Sequence, residues 1–233
     1  MTREDVEVNQ SEEWALEIQR QLDSGQYPKW PNEAMVKVLF GGGNYLKTPF
    51  ILQPEWRVLD VGCLFANNLL PFSEMGCDCH GVDIHPKMVE TARTVAGKRG
   101  IQAEFKVGSN RDLPYPDSYF DLVLSIATIH YEGTIENMRG ALNEFKRVLK
   151  PGGGLYIMTV APKHEIYKRA QILGNHQFRV SNFDFRDGQK FFFFDTQHYF
   201  QHNLSEVFSD VETGRVTENL MKLPLDFFVG LCR

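Results

Sequence analysis

The stretch VLDVGCLFANN, residues Val58–Asn68, predicts a buried β-strand that runs into a tight turn and then a helix. Strand–turn–helix units of this kind build α/β proteins around a parallel sheet. Nucleotide-binding turns usually carry several glycines, but here only Gly62 is present, and Leu64 and Ala66 occupy the next positions. The stretch thus fixes the type of fold and leaves open whether the turn still binds a cofactor.

The alternation of strand and helix patterns continues from this stretch to residue 160. Two further strand patterns, at residues 210–219 and 223–233, predict an antiparallel pair that closes the sheet. We therefore expect an α/β fold with a doubly wound, mostly parallel sheet and an antiparallel C-terminal hairpin. The predicted parallel strands are Arg57–Val61, Cys79–Asp83, Ala103–Val107, Phe120–Ser125 and Leu155–Val160.

Two segments lie outside this alternation. Residues 1–50 predict a helical cap, in which residues 1–10 are loosely attached and a helix begins at Ser11 and ends before Gly25. Residues 162–195 are locally basic and aromatic, which is typical of a substrate insert within the main domain, residues 51–233.

Composition limits the classes of function. The 233 residues carry a net charge of −5, which disfavours a broad nucleic-acid surface. The longest nearly apolar run, Leu122–Ile129, is too short to cross a membrane. The four cysteines lack zinc-ligand spacing, so we expect no metal site and a reducing, cytoplasmic location.

Polar residues follow several of the predicted strands. In a parallel sheet, ligands bind beyond the carboxyl ends of the strands. Asp60 and Gly62 end the first strand, and Asp83 follows 23 residues after Asp60, a spacing that suits an acid bound to ribose hydroxyls. The patterns GxGxxG and GxxxxGK[ST] are both absent, which disfavours a nicotinamide oxidoreductase and a P-loop enzyme.

Five motifs in order resemble those of the class I S-adenosylmethionine-dependent methyltransferases. They are RVLDVGC, HGVDIHPKMVETAR, VGSNRDLPYPDSYFDLVLS, IHY and EFKRVLKPGGGLYI, and they cover about residues 55–160. The resemblance implies a Rossmann-like, seven-stranded fold and S-adenosyl-L-methionine as the cofactor. The cofactor-binding residues it implies are Asp60, Gly62, Cys63, Asp83, Ile84, Ser109, Asn110 and Ser125.

The cofactor loop departs from the family pattern at two positions. Leu64 and Ala66 replace expected glycines, and Ser109 stands where the family often has an acid. A leucine at position 64 is compatible with binding if its φ stays negative, because a Cβ at positive φ costs about 1 kcal/mol or more. A relic of a cofactor site, serving as a binding or regulatory protein, is the alternative that these replacements support.

Methyl transfer to oxygen or nitrogen often needs a general base, and His130 lies just beyond the fourth strand. His164 is the next candidate, and packing is the alternative role for both histidines. The basic run in the insert, including Arg179 and Arg186, favours a small polar acceptor such as a sugar or another anionic metabolite. A tRNA acceptor and a homodimer formed through the FFFF run, Phe191–Phe194, stay open.

Overall fold

The computed structural model of the protein describes the backbone of residues 3–219 and 224–233, with side chains from Glu12 onward. The helices are α1 (Arg3–Ser24), α2 (Glu33–Phe40), α3 (Leu70–Met75), α4 (Pro86–Arg99), α5 (Ile135–Val148), α6 (Glu165–Lys168) and α7 (Gln197–Ser205). The strands are β1 (Arg57–Val61), β2 (Asp78–Asp83), β3 (Ala103–Val107), β4 (Phe120–Ile126), β5 (Leu149–Val160), β6 (Gln171–Gly174), β7 (Gln177–Arg179), β8 (Lys190–Phe192), β9 (Glu212–Glu218) and β10 (Leu225–Cys232).

Seven strands form the main sheet in the order β3-β2-β1-β4-β5-β10-β9. The five strands from β3 to β5 are parallel, and β10 pairs antiparallel with both β5 and β9. The strand order reverses between β1 and β4, which is where an open α/β sheet forms a ligand crevice. The predicted fold class, with its antiparallel C-terminal hairpin, is confirmed.

Successive side chains of the central strands enter two separate cores, because side chains alternate between the faces of a sheet. Val123 of β4 packs with α5 and α7 on one face, whereas Leu122 and Leu124 pack with α2, α3 and α4 on the other. All three side chains are fully buried. The sheet therefore has a helical layer on each face, and only its edges and strand ends are available for function.

The N-terminal helix is longer than predicted. It begins at Arg3, so Ser11 lies inside α1 and does not start it, and the backbone of residues 3–10 is helical where we expected loose attachment. The predicted end is confirmed: Gly25 has φ +70° and its amide bonds the carbonyl of Leu22. No helix within the described ranges is long and apolar enough to cross a membrane.

The segment after β5 forms a small antiparallel sheet, β6-β7-β8, that the sequence pattern did not reveal. Asn175 and His176 turn the β6–β7 hairpin, and both have positive φ, as a tight two-residue turn requires. The run Phe191–Phe194 alternates between two cores: Phe192 and Phe194 join the main core, and Phe191 joins a core within the insert. The phenylalanines of this run therefore pack in the protein core and do not form an exposed aromatic surface for a dimer.

The glycine run in the first half of β5 meets the N-terminal segment at one of its residues. Strand β5 begins at Leu149, six residues earlier than predicted, and includes the whole run. A Cβ on Gly154 would overlap the buried ring of Phe50, whereas a Cβ on Gly152, at φ +77°, would meet no atom within 4 Å. The two glycines are therefore needed for different reasons, one for space and the other for backbone conformation.

Replacing these glycines by alanine should separate the two reasons. We expect Gly154→Ala to lower the free energy of unfolding by about 1–3 kcal/mol, because an extra methyl group overpacks the core. Gly152→Ala should cost about 1 kcal/mol, the cost of a Cβ in the left-handed region. Urea denaturation of both variants measures the difference, and equal losses would show that Phe50 moves aside.

Candidate active site

A cavity of about 520 Å³ opens at the carboxyl ends of β1 to β4. The strand ends and the loops that follow them form one half of its wall; its residues include Gly62, Leu64, Asp83, Ile84, Met88, Gly108, Ser109, Asn110 and Thr128. The other half combines α1, the turn after β4, the insert and β10; its residues include Trp14, His130, Tyr131, His164, Phe183, Arg186, Leu225 and Phe227. The first half of the cavity is thus formed by the ends of the parallel strands. The second half is formed mainly by the N-terminal helix, the insert and β10.

Asp83 ends β2 on the cavity wall and is 5% exposed. Its carboxylate accepts one hydrogen bond from the amide of Leu64 at 3.0 Å and one from the amide of Ile84 at 2.8 Å. Burial raises the pKa of Asp83 to about 6, and the two amide bonds limit the rise. Asp83 does not cap α4, because His85 does so by accepting from the amide of Lys87. Its remaining lone pairs are therefore free to accept hydrogen bonds from a ligand.

Asp60 lies on the central strand β1, is 1% exposed and does not itself line the cavity. Neither carboxyl oxygen makes a hydrogen bond of ordinary geometry, although Asn68 is close enough to lower the pKa of Asp60 slightly. Burial outweighs this effect, and with the nearby Asp83 it raises the pKa of Asp60 to about 8. Asp60 is therefore protonated at neutral pH, and a cation bound nearby would favour release of this proton.

The loop between β1 and α3 adopts the conformation that its sequence disfavours. Leu64 has φ +43° and Ala66 has φ +57°, so both residues lie in the left-handed region. The condition that the sequence analysis set for cofactor binding, a negative φ at Leu64, is therefore not met. Its side chain packs beside Ile18 of α1 and Met88 of α4, and this burial offsets a backbone strain of about 1–2 kcal/mol. Gly62, at φ +73°, leaves no room for a Cβ beside Thr128.

The remaining predicted cofactor residues lie at different depths. Ile84, Ser109 and Asn110 are on the cavity wall. Cys63 is buried with its sulfur beside Gly81, and Ser125 is buried with its hydroxyl 2.7 Å from that of Thr128. Neither of these two side chains lines the cavity.

Asn110 belongs to a polar group at the edge of the cavity. Its side-chain amide donates to Glu132 at 2.8 Å, and Glu132 also pairs with Arg111 at 2.8 Å. This group fixes the direction of the Asn110 side chain, which the sequence alone did not indicate.

Two histidines lie on the wall of the second half. His130, 2% exposed, has Nδ1 3.4 Å from the hydroxyl of Thr159 and packs against Phe191. Burial, Arg186 and His164 lower the pKa of His130 well below its usual value. Burial and Arg186 lower the pKa of His164 to about 4. Both rings are therefore neutral at physiological pH.

The charge of Arg186 is largely compensated inside the insert. Its guanidinium pairs with Asp184 through two nitrogens and stacks near the rings of Phe183 and Phe185. Arg179, the other predicted anion-binding residue, lies exposed on β7 away from the cavity. The structure thus does not bring Arg179 and Arg186 together at the cavity.

Helix α1, which belongs to the predicted N-terminal helical cap, covers the cavity. Trp14 lines the wall and makes edge-to-face contacts with Tyr131 at 5.8 Å and Phe185 at 4.7 Å. Tyr45, another aromatic residue of the N-terminal segment, is 58% exposed and does not line the cavity. The apolar residues Trp14, Ile18 and Leu22, spaced four apart on α1, indicate that one face of this helix is buried. Their spacing does not indicate which surface that face covers.

Comparison with known proteins agrees with this geometry. Residues 59–157 match a family model described as a methyltransferase domain. An uncharacterized methyltransferase of Bacillus subtilis is 36% identical over 102 residues, which is 43% of this chain and 39% of that protein. The demethylmenaquinone methyltransferase of Tropheryma whipplei is 34% identical over 120 residues, 48% of each chain. These matches span less than half of the curated relatives.

A solved structure shares the fold over nearly the whole chain. It is the Haloferax volcanii putative methyltransferase in complex with the Trm112 methyltransferase activator, with a TM-score of 0.66. Identity is 16%, and the alignment covers 94% of this chain and 96% of that chain. At this identity the likeness extends to the fold alone, and it includes the segments outside the family match.

Replacing Asp60 should show the cost of burying its charge. The folded protein holds a proton on Asp60 up to about pH 8, whereas the unfolded chain loses it near pH 3.8. The free energy of unfolding therefore falls as pH rises from 4 to 8. We expect the stability of Asp60→Asn relative to the wild type to rise by about 3 kcal/mol between pH 5 and pH 8. Urea denaturation at both values measures this, and a difference independent of pH would contradict it.

Glycine substitutions in the cofactor loop should separate backbone strain from packing. Ala66→Gly relieves strain and removes one methyl group, so its stability should stay within about 0.5 kcal/mol of wild type. Leu64→Gly also loses the side-chain contacts with α1 and α4, and we expect a loss of about 1 kcal/mol. Thermal denaturation compares the two, and a Leu64→Gly variant more stable than wild type would show that strain dominates.

Proposed function

We propose that this chain is a class I S-adenosylmethionine-dependent methyltransferase, as the match to a methyltransferase domain supports, and that it transfers a methyl group from S-adenosyl-L-methionine to an oxygen or nitrogen atom of a small molecule. The observation that carries the proposal is the two-part cavity. Acidic and loop residues at the ends of β1 to β3 form one part, and two neutral histidines lie in the other.

The residues of the first part suit the cofactor. Asp83 retains free acceptor positions on the cavity wall, which suits ribose hydroxyls. Burial keeps Asp60 protonated in the free protein, and the cationic cofactor bound nearby would lower its pKa and favour the ionised carboxylate. Ile84 and Ser109 would border the adenine. Bound there, the cofactor supplies an activated methyl group, and the protein contributes mainly position and orientation.

The second part favours a largely apolar acceptor. Aromatic and aliphatic side chains dominate its wall, and Arg186 is already paired with Asp184. An anionic acceptor would have to compete with that ion pair. We therefore propose a neutral small molecule in place of the anionic metabolite expected from the basic residues of the insert.

His130 is the proposed proton acceptor, because its ring lies on the wall of this part and is neutral. Its lowered pKa makes it a weak base, since a base works best with a pKa near the operating pH. Its role would therefore be to accept a proton from an already acidic group, such as a phenol, while the methyl group is transferred.

Calorimetric titration with S-adenosylmethionine and S-adenosylhomocysteine tests the proposal. We expect both to bind the wild type, and Asp83→Asn to weaken S-adenosylmethionine by about 1.5–3 kcal/mol. The carboxylate is ionised above about pH 6, so wild-type affinity should also fall below that pH, and the variant should lack this fall.

Asp78→Asn is the matched control. Asp78 lies at the opposite end of β2 and its side chain is 55% exposed, so the cofactor affinity of this variant should equal that of the wild type. Failure of the wild-type protein to bind either compound would overturn the proposal. A folded Asp83→Asn variant with unchanged affinity would overturn only the placement of the ribose.

A further inference from the structure

We propose that His164 determines acceptor specificity by donating a hydrogen bond from its Nε2 to an oxygen of the acceptor other than the methylated atom. The inference rests on the proposed methyl transfer and names the acceptor class: a neutral, largely apolar molecule that carries a carbonyl or similar accepting oxygen. It gives His164 a different role from His130.

A backbone hydrogen bond fixes the tautomer of His164. Its Nδ1 lies 3.1 Å from the amide nitrogen of Ile166, which can only donate. Nδ1 must therefore present a lone pair, and in a neutral imidazole the proton is then on Nε2. The ring cannot serve as a base through Nδ1, and at Nε2 it offers a donor.

The neutral state of the ring is secured by its surroundings. His164 is 6% exposed, and burial together with Arg186 lowers its pKa to about 4. Asp226 and Glu165 act in the opposite direction but do not prevail. A single Nε2–H donor is thus the form that a ligand meets.

The segment that carries His164 is held against β10. The amide of Ala161 donates to the carbonyl of Asp226 at 2.8 Å, and the amide of Lys163 donates to its carboxylate at 2.7 Å. Arg215 binds the same carboxylate with two nitrogens, at 2.7 and 2.6 Å. The donor therefore has a fixed position before any ligand binds, and a fixed donor discriminates better than a mobile one.

The neighbours of His164 define the rest of the acceptor. The ring of Phe227 meets it edge to face at 5.0 Å, and Val160, Leu225 and Phe227 continue the apolar wall. Within the described residues, the Nε2 atom of His164 makes no hydrogen bond. A buried donor left unpaired by a ligand is costly, so acceptors without an accepting oxygen should be rejected.

The first test is the tautomer itself, read from two-bond ¹⁵N–¹H spectra of histidine-labelled protein. We expect His164 to show protonated Nε2 and unprotonated Nδ1 between pH 6 and 8. This readout needs neither cofactor nor acceptor. A proton on Nδ1 would overturn the inference.

The second test compares matched probes, meta- and para-hydroxyacetophenone against the corresponding ethylphenols, which have nearly the same shape without the carbonyl. Binding is measured by calorimetry to protein saturated with S-adenosylhomocysteine. We expect the ketones to bind the wild type about tenfold more tightly than the ethylphenols, the effect of one buried hydrogen bond. Equal affinities, or no binding of any probe, would overturn the inference.

Two variants separate the donor from its structural role. Asparagine places an oxygen near the position of Nδ1, so His164→Asn keeps the bond from Ile166 and loses the donor; the tenfold preference should disappear at nearly unchanged stability. Glutamine places an amide nitrogen near Nε2, so His164→Gln should retain part of the preference. His85→Asn is the control, because His85 accepts from the amide of Lys87 in the same way but lies off the cavity wall. The His85→Asn variant should prefer the ketones over the ethylphenols as strongly as the wild type does.

A preference that survives in a folded His164→Asn variant would overturn the assignment. Failure of the proposed methyl transfer is distinguishable, since it would appear as absence of S-adenosylhomocysteine binding in the wild type. In that case the tautomer spectra and the probe comparison on the free protein still decide the role of His164.

Discussion

The hydrogen bond from the amide of Leu64 to the buried carboxylate of Asp83 joins the two strand ends on which the cavity is built. It holds the loop after β1 against the end of β2, while the amides of Gly62 and Cys63 both bond the carbonyl of Val82. A carboxylate with so little exposure tolerates its desolvation only because amide donors are aimed at it. The same bonds bring Leu64 into the left-handed region, so the strain of the loop and the position of the acid have one cause.

The helix α1 explains how a leucine is accommodated where a glycine is expected. Its stripe of Ile18 and Leu22 packs on α4 together with the side chain of Leu64. A glycine loop would need no such cover, but here the cover stabilises the loop and also places Trp14 over the cavity. The unusual loop sequence and the N-terminal helix are therefore parts of one arrangement. Because packing offsets the backbone strain at Leu64, the presence of leucine in this loop does not imply that the cofactor site has been lost.

The sequence predicted the sheet well and the second half of the site poorly, for physical reasons. Strands β1 and β4 are buried and largely apolar, and the edge strand β3 alternates polar with apolar residues, so their patterns and the turn residues between them located the strands. Strand β5 began earlier than predicted because its glycine run is extended. The position of Asp83 followed from chain spacing alone. The pairing of Arg186 with Asp184 did not, because a count of basic residues says nothing about which acid each one meets. The small sheet of the insert also escaped, since its strands have only three or four residues.

The two halves of the cavity differ in how their chemistry is set. In the first half, burial raises the pKa of Asp60 and Asp83, and a cation bound there would lower these pKa values again and favour the ionised carboxylates. In the second half, burial and the cation of Arg186 hold His130 and His164 neutral, so this half is prepared for uncharged hydrogen-bonding groups. A cationic methyl donor would therefore prefer the first half and a neutral acceptor the second. Burial thus acts on carboxylic acids in the first half of the cavity and on histidines in the second. This difference separates the site for the cationic methyl donor from the site for the neutral acceptor.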